Sequence, residues 1–206
     1  MLTLFCKISA MKYYKGACEK DQPYNGGKFV LENGYGAEQY NFLSVEVEGV
    51  GELCLGFVET KTNPAKGSPN DLHFEKIKGC ETLKNEDSVD GVLVVWCATT
   101  ALNETSIVGW YRNATIFRTY QECEFDTGDV QLYNVIALKE NCVLLPQGER
   151  HRHIWDAPVA KVRTFGFGQS MIWYASEDAA QKYIIDITDQ IENYKGENWI
   201  DRCAED

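Results

Sequence analysis

Rings, a guanidinium group and an amide stand together in the middle of the chain. Within the segment 90–118, the four consecutive residues Trp110–Asn113 supply two aromatic rings, one guanidinium group and one side-chain amide. An aromatic ring can stack on a nucleobase, worth roughly 1–3 kcal/mol per base, and an Asn amide offers a donor and an acceptor to the polar edge of that base. This combination predicts a site that binds a nucleobase without reacting with it.

The predicted site has a ring part and a phosphate part. The predicted ligand-binding residues are Trp96, Trp110, Tyr111, Asn113 and Trp173. The predicted phosphate-binding residues are Arg112, Arg118, Arg150 and Arg152. Alternation along a strand places Trp110 and Tyr111 on opposite faces, so the set lines one pocket only if the chain bulges there. In the alternative interpretation, Trp96 and Trp110 are core residues of a β-barrel.

Two further segments carry groups that can bind an anion. The segment Gly166–Tyr174 (GFGQSMIWY) has two glycines just before a predicted helix, where backbone amides can hold an anion, or it is a turn that delivers two core aromatics. The irregular stretch 146–168 contains the cationic run Arg150–His153, which either contacts phosphates or is a solvated loop tip. Long irregular loops inside compact domains are usually functional or disordered, and the apolar residues of this one argue against disorder.

A predicted hairpin positions the first candidate site. Its first strand is the apolar run Val92–Cys97, which is typical of a strand covered on both faces. A polar break at 99–106 predicts the turn, and a second strand restarts at Ile107. Gly109 removes a side chain at a point where another backbone or a ligand can approach.

The remaining elements follow from alternation, turn residues and one helical stripe. Further strands are predicted at Leu2–Ile8, Lys28–Leu31, Ser44–Glu48, Leu53–Glu59, Leu72–Ile77, Gln131–Ala137 and Cys142–Leu145. One amphipathic helix is predicted from Ser176, which can cap it, to Lys195 and Gly196. Its apolar stripe consists of Ala180, Tyr183, Ile184, Ile187, Ile191 and Tyr194.

Composition and charge narrow the class of protein. The chain has 206 residues and no linker-like run, which favours one α+β domain spanning residues 1–206. A net charge of −11 argues against non-specific coating of nucleic acid, although the stretch 146–170 has four basic and two acidic residues. The eight cysteines are scattered and form no CxxC pair, which predicts reduced thiols and no zinc site. The chain has no long apolar run, which predicts a cytoplasmic protein without a membrane span.

The hairpin resembles a known superfamily. The hairpin contains, in order, Asp90, an apolar strand, a polar turn, an apolar pair, Gly109 and a further strand. This order resembles that of the central hairpin of PUA-like domains, which include the EVE, ASCH and YTH domains. The resemblance implies a small β-barrel of short mixed strands with few helices, which binds a modified, flipped or single-stranded base in an aromatic cage. It also implies the sensor of a bacterial defence or restriction system, with an effector protein as partner. This chain lacks the cage tryptophan segment of YTH domains and their basic surface.

Two other classes of function stay open. A small metal-dependent hydrolase or nuclease would use acidic residues such as Glu38 and Glu75, although no catalytic motif, metal set or cofactor motif is present in the sequence. An acidic protein-interaction module would meet a basic partner through the excess negative charge. Loss of turnover on removal of Glu38 or Glu75, or capture of one basic protein, would distinguish these from a base reader.

Overall fold

The described residues form a mixed β-sheet with one α-helix near the C-terminus, which confirms the α+β class. The structure is a computed structural model that describes residues 1–26, 36–60, 62–63, 68–69, 71–100, 104–125, 128 and 130–205. The strands are β1 (Leu2–Ile8), β2 (Ser44–Val47), β3 (Gly51–Gly56), β4 (Thr62–Asn63), β5 (Ser68–Pro69), β6 (Ser88–Thr99), β7 (Thr105–Glu124), β8 (Val130–Leu138), β9 (Cys142–Leu144) and β10 (Ile172–Trp173). The α-helix is α1 (Gln181–Glu192), and short 3-10 helices lie at Ala37–Tyr40, Phe74–Lys76, Lys139–Asn141, Glu149–His151, His153–Trp155 and Asp178–Ala180.

The main sheet has the strand order β10-β1-β6-β7-β8-β3-β2, and β9 adds to β7. Only the β1–β6 pair is parallel among the strand pairs of the described residues; the others are antiparallel. The sheet is open along this path, because its end strands β10 and β2 each pair with one described strand. Closure into the predicted barrel is therefore not seen in the part of the chain that the structure describes.

The predicted central hairpin is confirmed as β6 and β7. Val95 lies opposite Trp110 in the antiparallel register, and the register shifts on both sides of Val92. Asn113, across from this irregularity, has a left-handed φ of 51°. The hairpin therefore bulges. The bulge lies in the segment where, because of strand alternation, one was needed for the predicted site residues to line a single pocket. Gly109 meets a neighbouring backbone, because a Cβ there would lie 2.3 Å from the carbonyl oxygen of Val143.

Strand alternation divides the buried side chains between two cores, one on each face of the sheet. The first core contains Trp96 and Tyr111, whose ring centroids lie 5.3 Å apart at an interplanar angle of 73°. The second core contains Trp110, Trp155 and Trp173. Because Trp110 and Tyr111 are neighbours in β7 but belong to different cores, the predicted separation of the rings is confirmed.

Helix α1 packs on the second core through the predicted stripe. Ile187 and Ile191 are buried there, and Tyr183 and Ile184 pack against it as partly buried residues. The predicted capping by Ser176 is wrong, because the helical segment opens with a 3-10 turn at Asp178–Ala180 and no side chain caps it. The α-helix ends at Glu192, one turn before the predicted end.

The strand predicted at Leu72–Ile77 is wrong. The segment turns into a 3-10 helix, in which the Lys76 and Ile77 amides donate to the carbonyl oxygens of His73 and Phe74. Leu72, Phe74 and Ile77 are nevertheless buried, so the alternating pattern identified core residues but not their backbone. The strand predicted at Lys28–Leu31 lies outside the described residues.

Amide side chains hold the chain just after β3. Asn41 Oδ1 accepts from the Phe57 amide and its Nδ2 donates to the Phe57 carbonyl oxygen, at 2.8 and 3.0 Å. Asn134 pairs with Val58 in the same way, at 3.0 Å for both bonds. The two side chains thus replace the backbone partners of a strand, and buried polar groups are satisfied without a further strand.

Candidate functional site: a cleft between a loop and the end of the helix

Three of the predicted base-binding rings have no exposed surface. Trp96, Trp110 and Tyr111 are each 0% exposed, which is the core interpretation that the sequence left open. Trp173 is also buried, with its indole N–H donating to both carboxylate oxygens of Glu177 at 3.0 and 2.9 Å. A ring enclosed on both faces cannot stack on a base in this conformation, because no surface is free for the ligand. The structure therefore does not bring these four rings into an open cage.

Two of the predicted phosphate-binding arginines have structural partners instead. Arg150 is 5% exposed and donates to three backbone carbonyl oxygens. Arg118 donates to Glu75 Oε2 at 3.0 Å and to the carbonyl oxygens of Glu86 and Leu83. Guanidinium donors used in this way are not free for phosphate oxygens. The assignment of Arg118 and Arg150 to a phosphate is thus corrected to the anchoring of loops.

The polar end of the predicted hairpin site is exposed. Arg112 and Asn113 are adjacent and both point to solvent. Arg112 makes no ion pair with any described residue. The bulge therefore places these two polar side chains outside, while Trp110 and Tyr111 remain inside the two cores.

The anion loop predicted at Gly166–Tyr174 is a turn that delivers core rings. Gly166 has a φ of +112°, and a Cβ there would lie 2.3 Å from the Pro158 carbonyl oxygen, so glycine is needed for the close approach. The Phe167 amide donates to that same oxygen at 2.9 Å. Phe167 and Trp173 then enter the second core. The geometry therefore favours the second interpretation of this segment, a turn that delivers two core aromatics.

A cleft of about 500 Å³ opens where the irregular loop meets the end of α1. We call it the helix cleft; its lining includes Arg152, Ile154, Trp155, Gln190, Tyr194 and Lys195. The two short 3-10 helices at 149–151 and 153–155 form one wall, and the last turn of α1 with the residues after it forms the other. Side chains that can stack, donate and carry positive charge thus meet at one open place.

Trp155 and Tyr194 line the helix cleft and pack against the buried Trp110. Trp155 stacks on Trp110 with centroids 5.5 Å apart, and the Tyr194 ring lies edge-on to both, at 5.3 Å from Trp110 and 5.8 Å from Trp155. Trp155 is only 1% exposed, and its indole Nε1–H has no acceptor among the described residues. Because this nitrogen is enclosed, Trp155 supports the Tyr194 ring by packing and offers no hydrogen bond to a ligand in the cleft.

The charges of the helix cleft are close to balanced. Arg152 pairs with Glu149 at 2.8 Å and is 58% exposed, whereas Lys195 makes no ion pair with any described residue. The Tyr194 hydroxyl donates to the Glu197 carbonyl oxygen at 2.7 Å, and burial raises the pKa of this hydroxyl. The ring of Tyr194 is therefore held by its own hydrogen bond, and Lys195 is the cation available to an anion.

Sequence reasoning found only part of the cleft. Arg152 is the one predicted site residue that lines it. Tyr194 was expected only as a member of the helix stripe and Lys195 only as the helix end. Trp155 lies in the irregular stretch 146–168, for which the sequence argued against disorder but predicted no helix or strand. The loop itself was the available signal, since neither periodicity nor spacing links residue 155 to residue 194.

The carboxylates of the alternative hydrolase have separate partners. Glu38 is buried and accepts from the Ser9 amide at 3.4 Å, and burial raises the pKa of its carboxyl group. Burial also acts on Glu75, but hydrogen bonds from its own backbone, Arg118 and His73 lower its pKa. In the described part of the chain, no group of three or more His, Cys, Asp and Glu side chains is arranged to hold a metal ion.

Comparisons with protein-family models, with curated proteins and with solved structures find no match. No helix among the described residues is long and apolar enough to cross a membrane. The likeness of the hairpin to PUA-like domains thus stays a prediction, and the functional inference depends on the chemistry of this chain.

Proposed function

We propose that the protein binds a nucleobase-containing ligand and that the helix cleft holds it. The observation that carries this proposal is the meeting of Tyr194, Lys195 and Arg152 in one open cleft of about 500 Å³, where Trp155 packs against the Tyr194 ring. Ligand pockets that bind drug-sized molecules have volumes of roughly 300–1,000 Å³, with apolar walls and a few polar groups. The cleft has this size, and its lining combines the rings of Trp155 and Tyr194 with a larger share of polar and charged side chains.

Each lining group has a role in the proposed complex. The Tyr194 ring supplies the stacking surface, since aromatic faces accept any base. Gln190 supplies an amide that can pair with the base edge. Lys195 and Arg152 contact a phosphate, for which Arg152 first exchanges its partner Glu149.

The electrostatics favour a short ligand. Lys195 is the lysine that lines the cleft, and it lacks an ion-pair partner among the described residues. The whole chain carries a net charge of −11. Affinity for long nucleic acids depends on many phosphate contacts, which this surface does not offer. The proposed ligand is thus a single nucleotide or one unstacked nucleotide of a strand. Because the central hairpin resembles PUA-like domains, the proposal extends to a modified base as the ligand, a closed small barrel as the fold and an effector protein as the partner.

Binding of short oligonucleotides with modified and unmodified bases tests the proposal. Tyr194→Leu removes the ring and is expected to weaken binding by about 1–3 kcal/mol, roughly 5- to 150-fold, whereas Tyr194→Phe keeps the ring and most of the affinity. Fluorescence anisotropy measures both. Equal affinity of the Leu variant and the wild type would exclude Tyr194 as the stacking surface.

A matched pair of lysines tests the phosphate contact. Lys195→Gln removes a cleft cation and is expected to reduce the slope of log affinity against log salt by about 1. Lys182→Gln is the control, because Lys182 is exposed on α1, pairs with Asp186 and does not line the cleft. The same slope for both variants would contradict the proposed position of the phosphate.

A further inference from the structure

The segment after α1 lies along the edge of β9 as a further strand would. We call residues 194–201 the strap. The Trp199 amide donates to the Leu144 carbonyl oxygen at 2.8 Å. The Asn198 side chain accepts from the Leu144 amide at 3.0 Å and donates to the Cys142 carbonyl oxygen at 2.9 Å. The strap therefore gives both backbone groups of Leu144 a partner and covers the edge of β9.

The second half of the strap is anchored at four consecutive residues. Ile200 is buried in the first core, and Trp199 packs against the same core. The Trp199 ring also stacks on Tyr13, in the loop after β1, with centroids 5.7 Å apart. Asp201 pairs with Lys139 at 2.8 Å. Together with Asn198, each residue of the range 198–201 thus has its own contact outside the strap, and we call these four residues the clamp.

The first half of the strap is part of the wall of the helix cleft. The four residues 194–197 all belong to the lining. The chain turns tightly here, because the Tyr194 hydroxyl donates to the Glu197 carbonyl oxygen at 2.7 Å and a Cβ on Gly196 would lie 2.5 Å from that hydroxyl oxygen. Tyr194 packs against the second core, whereas the clamp packs against the first. The turn that holds the cleft ring therefore ends directly before the clamp.

The middle of the strap has little else to hold it. Lys195 and Gly196 are exposed, and neither makes a hydrogen bond with the rest of the described chain. Ordering of such residues costs conformational entropy, which contacts at the two ends must offset. One end is the last turn of α1, and the other is the clamp. The position of Lys195 in the cleft therefore depends on the clamp.

We propose that Asn198 and Trp199 are positioning residues for the helix cleft, and that the strap leaves β9 and returns as one unit that opens and closes the cleft. Segments held by few buried contacts open locally while the rest of a domain stays folded. When the clamp is released, the Tyr194 hydroxyl loses its acceptor and Lys195 leaves the cleft. In the clamped state both residues face the ligand.

Ligand binding and clamping then strengthen each other. A nucleotide that contacts Tyr194 and Lys195 binds the clamped state and shifts the population towards it. The coupling is reciprocal, so a weaker clamp must weaken binding. If a substitution leaves about one molecule in ten clamped, the apparent affinity falls about tenfold although no residue that contacts the ligand has changed. This regulation rests on the proposed nucleotide site, whereas the opening of the strap does not.

Two measurements on the ligand-free full chain test the opening. Hydrogen exchange of the Trp199 amide reports release of the clamp, and trypsin cleavage after Lys195 reports release of the turn. Asn198→Ala removes the side-chain bonds to β9 and is expected to speed both by about tenfold or more. Asn25→Ala is the matched control, because the Asn25 amide also donates to backbone carbonyl oxygens, but away from the strap.

The expected result is equal acceleration of exchange and cleavage in Asn198→Ala and wild-type rates in Asn25→Ala. Faster exchange at Trp199 with unchanged cleavage after Lys195 would show that clamp and turn move separately and would overturn the proposal. Unchanged rates of both would show that the clamp does not hold the strap, with the same consequence.

Oligonucleotide binding tests the regulation. Trp199→Ala and Asn198→Ala are expected to lose affinity by about the factor by which cleavage after Lys195 rises, and a saturating oligonucleotide should slow that cleavage in the wild type. Trp199→Phe should restore affinity, because it keeps a ring on Tyr13 and the Trp199 indole N–H has no partner among the described residues. Loss of affinity in Tyr194→Leu but not in Asn198→Ala would refute the regulation and leave the proposed function standing. If no oligonucleotide binds the wild type, the proposed function fails, and the ligand-free rates still decide whether the strap opens as one unit.

Discussion

Replacement of Arg150 by methionine distinguishes a loop anchor from a phosphate-binding group. The Arg150 guanidinium donates to the carbonyl oxygens of Leu145, Met11 and Lys12 at 2.8, 2.7 and 2.7 Å. It thereby joins the segment after β1 to the loop after β9. Methionine keeps much of the length but donates nothing, so three carbonyl groups lose their partner.

The expected cost follows from those three bonds. Leaving a buried acceptor without a donor costs about 1–3 kcal/mol, and hydrogen bonds from charged groups are at the upper end. Removal of a buried charge recovers part of this loss, since its desolvation is no longer needed. We expect Arg150→Met to lower the free energy of unfolding by about 3–5 kcal/mol, a large part of the 5–15 kcal/mol typical of a domain.

Urea denaturation measures this loss. With a slope m of about 2 kcal/mol/M, a loss of about 4 kcal/mol moves the midpoint by about 2 M at unchanged m. Arg152→Met is the matched control, because Arg152 is exposed and its ion pair with Glu149 is worth at most about 1 kcal/mol. If Arg150→Met unfolds at the wild-type midpoint and binds oligonucleotides more weakly, the anchoring role is refuted and the phosphate role returns.

Three further substitutions have expected outcomes in the same assay. Gly109→Ala places a Cβ against the Val143 carbonyl oxygen and should lower the free energy of unfolding by about 1–3 kcal/mol. Gly148→Ala is the control, because its Cβ meets nothing within 4 Å, and it should stay within about 1 kcal/mol of wild type. Equal midpoints for the two variants would exclude the close approach at Gly109. Burial raises the pKa of Glu38, so its contribution is fully present below the unfolded pKa and is lost as pH rises through the folded pKa. Glu38→Gln should thus gain stability over wild type as pH rises from 4 to 7, and a gap that does not change with pH would contradict this. Tyr111→Phe removes an unpartnered hydroxyl and should leave stability unchanged or raise it by about 1 kcal/mol, so a clear loss would show that the hydroxyl is bonded.

Local patterns predicted the elements that carry their own signal. The β6–β7 hairpin, strand β1, the β2–β3 hairpin and the stripe of α1 all follow from alternation, turn residues or helical spacing. The division of Trp110 and Tyr111 between two cores follows from alternation as well. These features depend on neighbours in sequence, which is why one sequence is enough to find them.

Features that depend on distant residues were not predictable in this way. The burial of Arg150 depends on carbonyl groups about 140 residues earlier in the chain. The helix cleft depends on how an irregular loop meets the residues after α1, and nothing in the local pattern of Tyr194 indicates its contact with Trp155. The segment Leu72–Ile77 had a strand-like pattern, but its own backbone hydrogen bonds turned it into a 3-10 helix.

The parallel pairing of β1 with β6 also sets an order of events during folding. Leu2 pairs with Val92 and Ile8 with Ala98, so the strand at the beginning of the sequence has its main partner about 90 residues later. At a synthesis rate of about 5–20 residues per second, β1 leaves the ribosome roughly 5–20 s before β6 has been made. Non-local pairings of this kind form late and slow the folding of a domain. The apolar side chains of β1 therefore need protection from aggregation during the synthesis of the residues between β1 and β6.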